Sequence, residues 1–144
     1  MDIRKTVEAL CRKHQTRDPL QICRERGILL LFEPLGSIRG YYSCSHRFKV
    51  IHINQALDEQ QQRFTCCHEL GHAILHPKAN THFLRANTLF SVSRLEVEAN
   101  QFAVCMLYPR EFLLQEFEGC STEQMAENLR LPRELVEFAV KQRS

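Results

Sequence analysis

Residues 64–76 read Phe64-Thr65-Cys66-Cys67-His68-Glu69-Leu70-Gly71-His72-Ala73-Ile74-Leu75-His76, and how this stretch folds decides the rest of the chain. Asp58 can cap a helix running to about His76, where Pro77 ends it. On that helix His68 and His72 project from one face, separated by about 6 Å of rise, and can share a tetrahedral ion. Glu69 lies beside the same face and can reach a water held on the ion without being a ligand. Zinc lowers the pKa of such a water toward about 7, so that a neighbouring carboxylate can accept its proton. This is the physical content of an H-E-x-x-H pattern, whose chance occurrence in a chain of this composition is on the order of 0.03. Two ordinary surface histidines would explain it less well, because Phe64, Gly71 and Leu75 lie close to the same face. Gly71 in mid-helix costs about 1 kcal/mol relative to Ala. Its use is predicted to be the close approach of another backbone, either a packed helix or a substrate strand.

Two imidazoles leave an ion short of a protein ligand. The downstream candidates are His76, His82, Glu96 and Glu98. Ser93 opens a second long helix that stops before Pro109. On a wheel of 94–107, Glu96 shares its stripe with Ala99, Asn100, Ala103 and Leu107, while Glu98 falls nearly opposite with Gln101 and Cys105. The apolar side therefore carries Glu96, and a carboxylate there needs a partner, of which a metal is one. Ser93-Arg94-Leu95-Glu96 also fits a capping box, with Glu96 reaching back to the Ser93 N–H; the ligand reading is preferred. Asn100, one turn after Glu96, is placed either to orient a ligand histidine or to bond nearby backbone. A third His on one helix tends to point past the ion, so His76 reads as a pocket or last-turn residue, and His82 as a solvated loop residue.

Working outward, Ile3, Val7, Leu10 and Cys11 keep helical spacing over 2–14. Asp18-Pro19 opens a short helix at 19–26 that Gly27 stops. Residues 28–32 form a buried-strand candidate, and Tyr41–Cys44 and Phe48–Ile53 flank a Ser45-His46-Arg47 turn as a hairpin. Residues 78–92 read as a polar loop, and further helices are predicted at 110–117, 122–130 and 133–142. The order is helices, a small sheet, then helices. That predicts a single α+β domain with an antiparallel-type sheet packed on a helical body, residues 1–120 forming the body and 121–144 a helical pair packed on it.

The 144 residues are 44% apolar and 25% charged, enough apolar mass for an ordered domain. A net charge of +2 makes no electrostatic case for nucleic acid or anionic membrane. No apolar run approaches the roughly 18 residues of a membrane span. Seven cysteines without a C-x-x-C pair argue against a disulfide framework and against thiolate-held zinc. A start without an apolar leader adds to the expectation of a cytoplasmic protein.

The block Phe64–His76 resembles the F-T-x-x-H-E-L-G-H-x-x-L-H block of the ImmA/IrrE family of metallopeptidases. Glu96-Val97-Glu98-Ala99-Asn100-Gln101-Phe102-Ala103 is similar to that family's E-x-E-A-N-x-F-A block. Gly40-Tyr41-Tyr42, Ile51-His52-Ile53-Asn54 and Met106-Leu107-Tyr108-Pro109 extend the resemblance over about residues 15–117. It implies a gluzincin-like site with one zinc ion held by His68, His72 and Glu96, and with Glu69 as general base. It further implies a cytoplasmic regulatory peptidase whose substrate is a helix-turn-helix repressor guarding a mobile element, a prophage or a stress response. Tyr108 in place of the family's Met, and Cys66-Cys67 in place of a small or aliphatic pair, are departures expected to alter the pocket rim. Because the sequence ends soon after its last helix, the chain is expected to lack the sensor domain found in some relatives.

Residues 121–136 scan as a helix-turn-helix, but Arg133, Lys141 and Arg143 are mixed with Glu134 and Glu137, which disfavours direct DNA binding. The leading expectation is a zinc endopeptidase. The oxyanion partner is not assigned by the sequence; Tyr41 and Tyr42 are candidates, each equally a plain strand aromatic. An extended substrate can add to an exposed strand edge. The competing expectation is a non-catalytic, zinc-containing anti-repressor that sequesters its partner; DNA binding through the terminal helices is the weakest.

Overall fold

The computed structural model describes residues 2–78, 83–91 and 93–141. His82 and Arg143 lie outside the described residues. Two short helices open the chain. Asp2 caps α1 (Ile3–His14), accepting from the Lys5 N–H, and buries Ile3, Val7, Leu10 and Cys11. Asp18 caps α2 (Pro19–Glu25), with Pro19 in the first turn where no N–H is required.

Three strands follow: β1 (Leu29–Glu33), β2 (Gly40–Ser45) and β3 (Phe48–Asn54), in the order β1-β3-β2. The hairpin is as the sequence predicts, β2 and β3 being antiparallel around His46 and Arg47, both at positive φ. The sheet as a whole is mixed rather than antiparallel, because β1 pairs β3 in parallel. The chain reverses between β1 and β2 and again between β2 and β3, so β1 and β3 share a direction. β3 takes the centre because its Ile51 and Ile53 are fully buried and need neighbours on both sides. Asn54 ties the first reversal, donating through Nδ2 to the carbonyls of Gly36 and Ile38, each at 3.0 Å.

The helical body is built on α3 (Glu59–Leu75) and α4 (Arg94–Leu107), which pack closely against each other. Asp58 caps α3 by accepting from the Gln61 N–H. The stretch predicted as a polar loop contains a 3₁₀ turn, Ala86–Phe90. Leu84 also makes an isolated antiparallel bridge to Gly40, at the outer edge of β2. The chain closes with α5 (Arg110–Glu116), α6 (Thr122–Leu129) and α7 (Arg133–Val140). A Ser121–Gln124 capping box starts α6, and α7 packs on α4, α5 and α6. The architecture is α+β. Among the described residues no helix is long and apolar enough to cross a membrane.

Candidate metal centre

Helix α3 is buried along most of its length, with Phe64 to Ala73 all enclosed. It is not an amphipathic surface helix, because the sheet covers one side and α4 another. The core side chains Tyr42, Ile51 and Ile53 lie on the sheet face turned toward it. Gly40 lets β2 lie close: a Cβ there would stand 2.5 Å from the His52 carbonyl oxygen and 2.5 Å from Thr65 Cγ2. Gly71 does the same for α4, where a Cβ would meet Phe102 at 3.1 Å. Of the two uses expected for Gly71, the packed helix is the observed one.

This tight crossing brings His68, His72 and Glu96 together. One ligand-capable atom from each lies within 4.8 Å of the others. Glu96 Oε1 is 3.1 Å from Nε2 of His68 and 3.1 Å from Nε2 of His72. All three residues are buried, as is Glu69, whose Oε2 is 4.0 Å from His68 Nε2. The Ser93 N–H donates to Ser91 Oγ at 3.1 Å, and Glu96 turns to the two histidines and not back onto its own helix start.

The proton positions follow from the surrounding bonds. Asn100 donates through Nδ2 to the Thr88 carbonyl at 3.1 Å, which turns its Oδ1 toward His68 Nδ1 at 2.8 Å. His68 Nδ1 must then carry a proton, and the neutral ring presents an unprotonated Nε2 to Glu96. Burial raises the Glu96 carboxyl; ring protons on His68 and His72 facing it draw it down to about 2, an effect that bare Nε2 atoms do not supply. With both rings instead neutral and bare at Nε2, as ligation requires, the two imidazoles and the Glu96 carboxylate are acceptors only. Both oxygens of Glu69 are buried without a hydrogen-bond partner, and Glu96 Oε2, 3.1 Å from His72 Nε2, meets only that ring nitrogen. Such a set needs a positive charge at its middle. Two imidazole nitrogens and a carboxylate fit a divalent ion with tetrahedral preference, with places left for water or substrate. Burial pushes the Glu69 carboxyl up to about 8; His72 opposes this and Glu96 adds to it. A cation beside it would draw it back toward the carboxylate form that a general base requires.

The remaining candidates are placed as follows. Glu98 points away from Glu96 and sits on His76, with Oε1 2.8 Å from Nε2, and the other face of His76 meets His72. Neither Tyr41 nor Tyr42 has a hydrogen bond to the cluster among the described residues. Tyr41 stacks on the His52 ring at 4.0 Å, and Tyr42 is buried, its hydroxyl pushed up to about 12 by burial and by Cys44. Cys66 and Cys67 correct the expectation of a rim position: both are fully buried, with Cys66 Sγ 3.8 Å from Cys23 Sγ of α2. Tyr108 accepts a hydrogen bond from Gln60, near the start of α3. Thr88 escaped the sequence reading, since a backbone carbonyl in a polar loop carries no signature of its own.

A small sheet over a helix bearing H-E-x-x-H, crossed by a helix that delivers a buried glutamate, defines a metallopeptidase that requires a divalent ion. The sequence pattern of the IrrE N-terminal-like domain matches residues 23–141, and the chain belongs to that peptidase family. It is 44% identical over 108 residues to the "Uncharacterized immunity region protein 2" of Bacillus phage phi105, covering 74% of this chain and 68% of the relative. It is 29% identical over 146 residues to "Metallopeptidase ImmA" of Bacillus subtilis, covering 97% of this chain and 85% of the relative. A shorter stretch of 49 residues is 49% identical to "Radiation response metalloprotease IrrE" of Deinococcus radiodurans, covering 34% of this chain and 14% of the relative.

Proposed function

We propose that this chain is a zinc-dependent endopeptidase that cleaves a regulatory protein, a helix-turn-helix repressor of a mobile element or a stress response. The carrying observation is the convergence of His68, His72 and Glu96 on one buried point, with acceptors that lack donors and Glu69 alongside. His68, His72 and Glu96 are the ligands in this reading. When bound, the ion would polarise the scissile carbonyl and acidify a water. Glu69 would accept the proton of the attacking water and return it to the leaving nitrogen. Asn100 holds His68 in the tautomer that presents Nε2. Burial of all four groups excludes bulk water, which strengthens each charge interaction in the site. An extended peptide can pair with the outer edge of β2, where Leu84 already bonds at Gly40.

The repressor substrate is supported by the relatives' names, which place one in a phage immunity region and another in a radiation response. Seven free cysteines suit a reducing, cytoplasmic setting. In the same reading residues 1–120 are the peptidase body and 121–144 brace it.

Two measurements test this. Zinc content is expected to be one per chain in the wild type and near zero in Glu96→Ala. Glu69→Gln is expected to keep its zinc and lose cleavage of its repressor by about 10²–10⁴-fold. A Gln variant that relieves repression as well as the wild type would instead establish sequestration without catalysis.

A further inference from the structure

His76 and Glu98 form a chain of contacts that reaches His72 at the ring nitrogen turned away from Glu96. His72 Nδ1 lies 3.0 Å from His76 Nδ1, and His76 Nε2 lies 2.8 Å from Glu98 Oε1. His76 is buried and Glu98 is half-buried; the exposed Arg94 guanidinium stands 3.5 Å from the other Glu98 oxygen. A carboxylate only accepts, so the proton on this contact belongs to His76 Nε2. The neutral His76 ring then has a bare Nδ1. Two facing ring nitrogens 3.0 Å apart share one proton, so that proton sits on His72 Nδ1. His72 Nε2 is thereby left with its lone pair, directed at Glu96 and His68. His76 can do this because it stands just past α3, at φ −132°, where the helix has ended before Pro77. Asn100 acts on His68 in the same way from the other side.

We infer that Glu98 and His76 are positioning residues that lock the tautomer and ring orientation of His72 for metal binding. The inference rests on His72 being a ligand. Carboxylate-backed histidines of this kind typically raise metal affinity 10–100-fold.

The test uses the full chain as wild type, His76→Leu, His76→Asn, Glu98→Ala and the double variant His76→Leu/Glu98→Ala. Zinc affinity is read by competition with a chromophoric chelator, and the melting temperature of each metal-free protein is recorded beside it. His76→Leu is expected to weaken zinc about 10–100-fold. His76→Asn, whose Oδ1 can occupy the place of Nδ1 and accept from His72, is expected to restore most of that. Glu98→Ala is expected to weaken zinc alone but to add nothing in the His76→Leu background, because it acts through His76. Two-bond proton–nitrogen spectra of the metal-free wild type, which need no variant, are expected to show His72 protonated on Nδ1 and His76 on Nε2. The inference is overturned if His72 carries its proton on Nε2, if the Leu and Asn variants weaken zinc equally or not at all, or if Glu98→Ala keeps its full effect without His76. A wild type that takes up no zinc would remove the ligand reading and this inference together. Zinc binding lost in Glu96→Ala but untouched in His76→Leu would remove this inference alone.

Discussion

Glu96 and Glu98 stand two positions apart on α4 and meet different partners, because a helix turns about 200° between them. Glu96 enters the core with no solvent to stabilise its charge, so it must be matched by positive charge; Glu98 stays at the rim, where His76 and Arg94 suffice. Gly40 shows how little freedom such a site leaves. In Gly40→Ala the new methyl would meet a carbonyl oxygen and Thr65 Cγ2, each at 2.5 Å. The backbone of β3 cannot retreat without breaking the sheet. A loss of about 1–3 kcal/mol is expected from urea unfolding, and unchanged stability would mean that β2 does not lie this close to α3.

Between elements, the crossing of α3 and α4 sets the distance from the two histidines to Glu96. Gly71→Ala probes it with opposing effects. Ala is favoured over Gly in a helix by about 1 kcal/mol, so a yielding interface would make the variant more stable. Phe102, however, is fully buried and its Cβ is 3.1 Å from the added atom. We expect a net loss of stability and weaker zinc binding, since pushing α4 outward carries Glu96 with it, and partial recovery in Gly71→Ala/Phe102→Leu. A more stable variant with unaltered zinc affinity would show that the crossing has slack. The sequence marks the contact as a glycine in mid-helix, but whether a helix or a substrate strand fills it depends on which element packs there.

Across the whole molecule, the first and last helices are joined. Arg4 of α1 donates to the carbonyls of Phe138 at 2.6 Å and Ala139 at 3.0 Å, and also to that of Lys141; Arg110 donates to Val140 at 2.9 Å. These carbonyls have no partners within α7, and a cation near a helix C-terminus is favourable. Arg4→Met is expected to cost about 1–3 kcal/mol and to speed amide exchange in α7 while leaving zinc affinity as it was. Coupled loss of zinc would place α7 in the metal centre's support. Zinc should itself stabilise the fold: at about 1,000 times its Kd the gain is about 4 kcal/mol, seen as a rise in melting temperature that Glu96→Ala lacks.

The sequence by itself determined the helix boundaries that caps and prolines impose, the pairing of His68 with His72 one turn apart, and the inward face carrying Glu96, because all of these depend on spacing along one helix. It also marked the hairpin, through its turn. Tertiary structure alone decided that β1 joins β3 in parallel, that Cys66 meets Cys23 of α2, that Leu84 reaches Gly40, and that Glu98 finds His76 and through it His72. Those contacts join atoms far apart in the chain, and no local periodicity encodes which of several exposed or buried faces will meet.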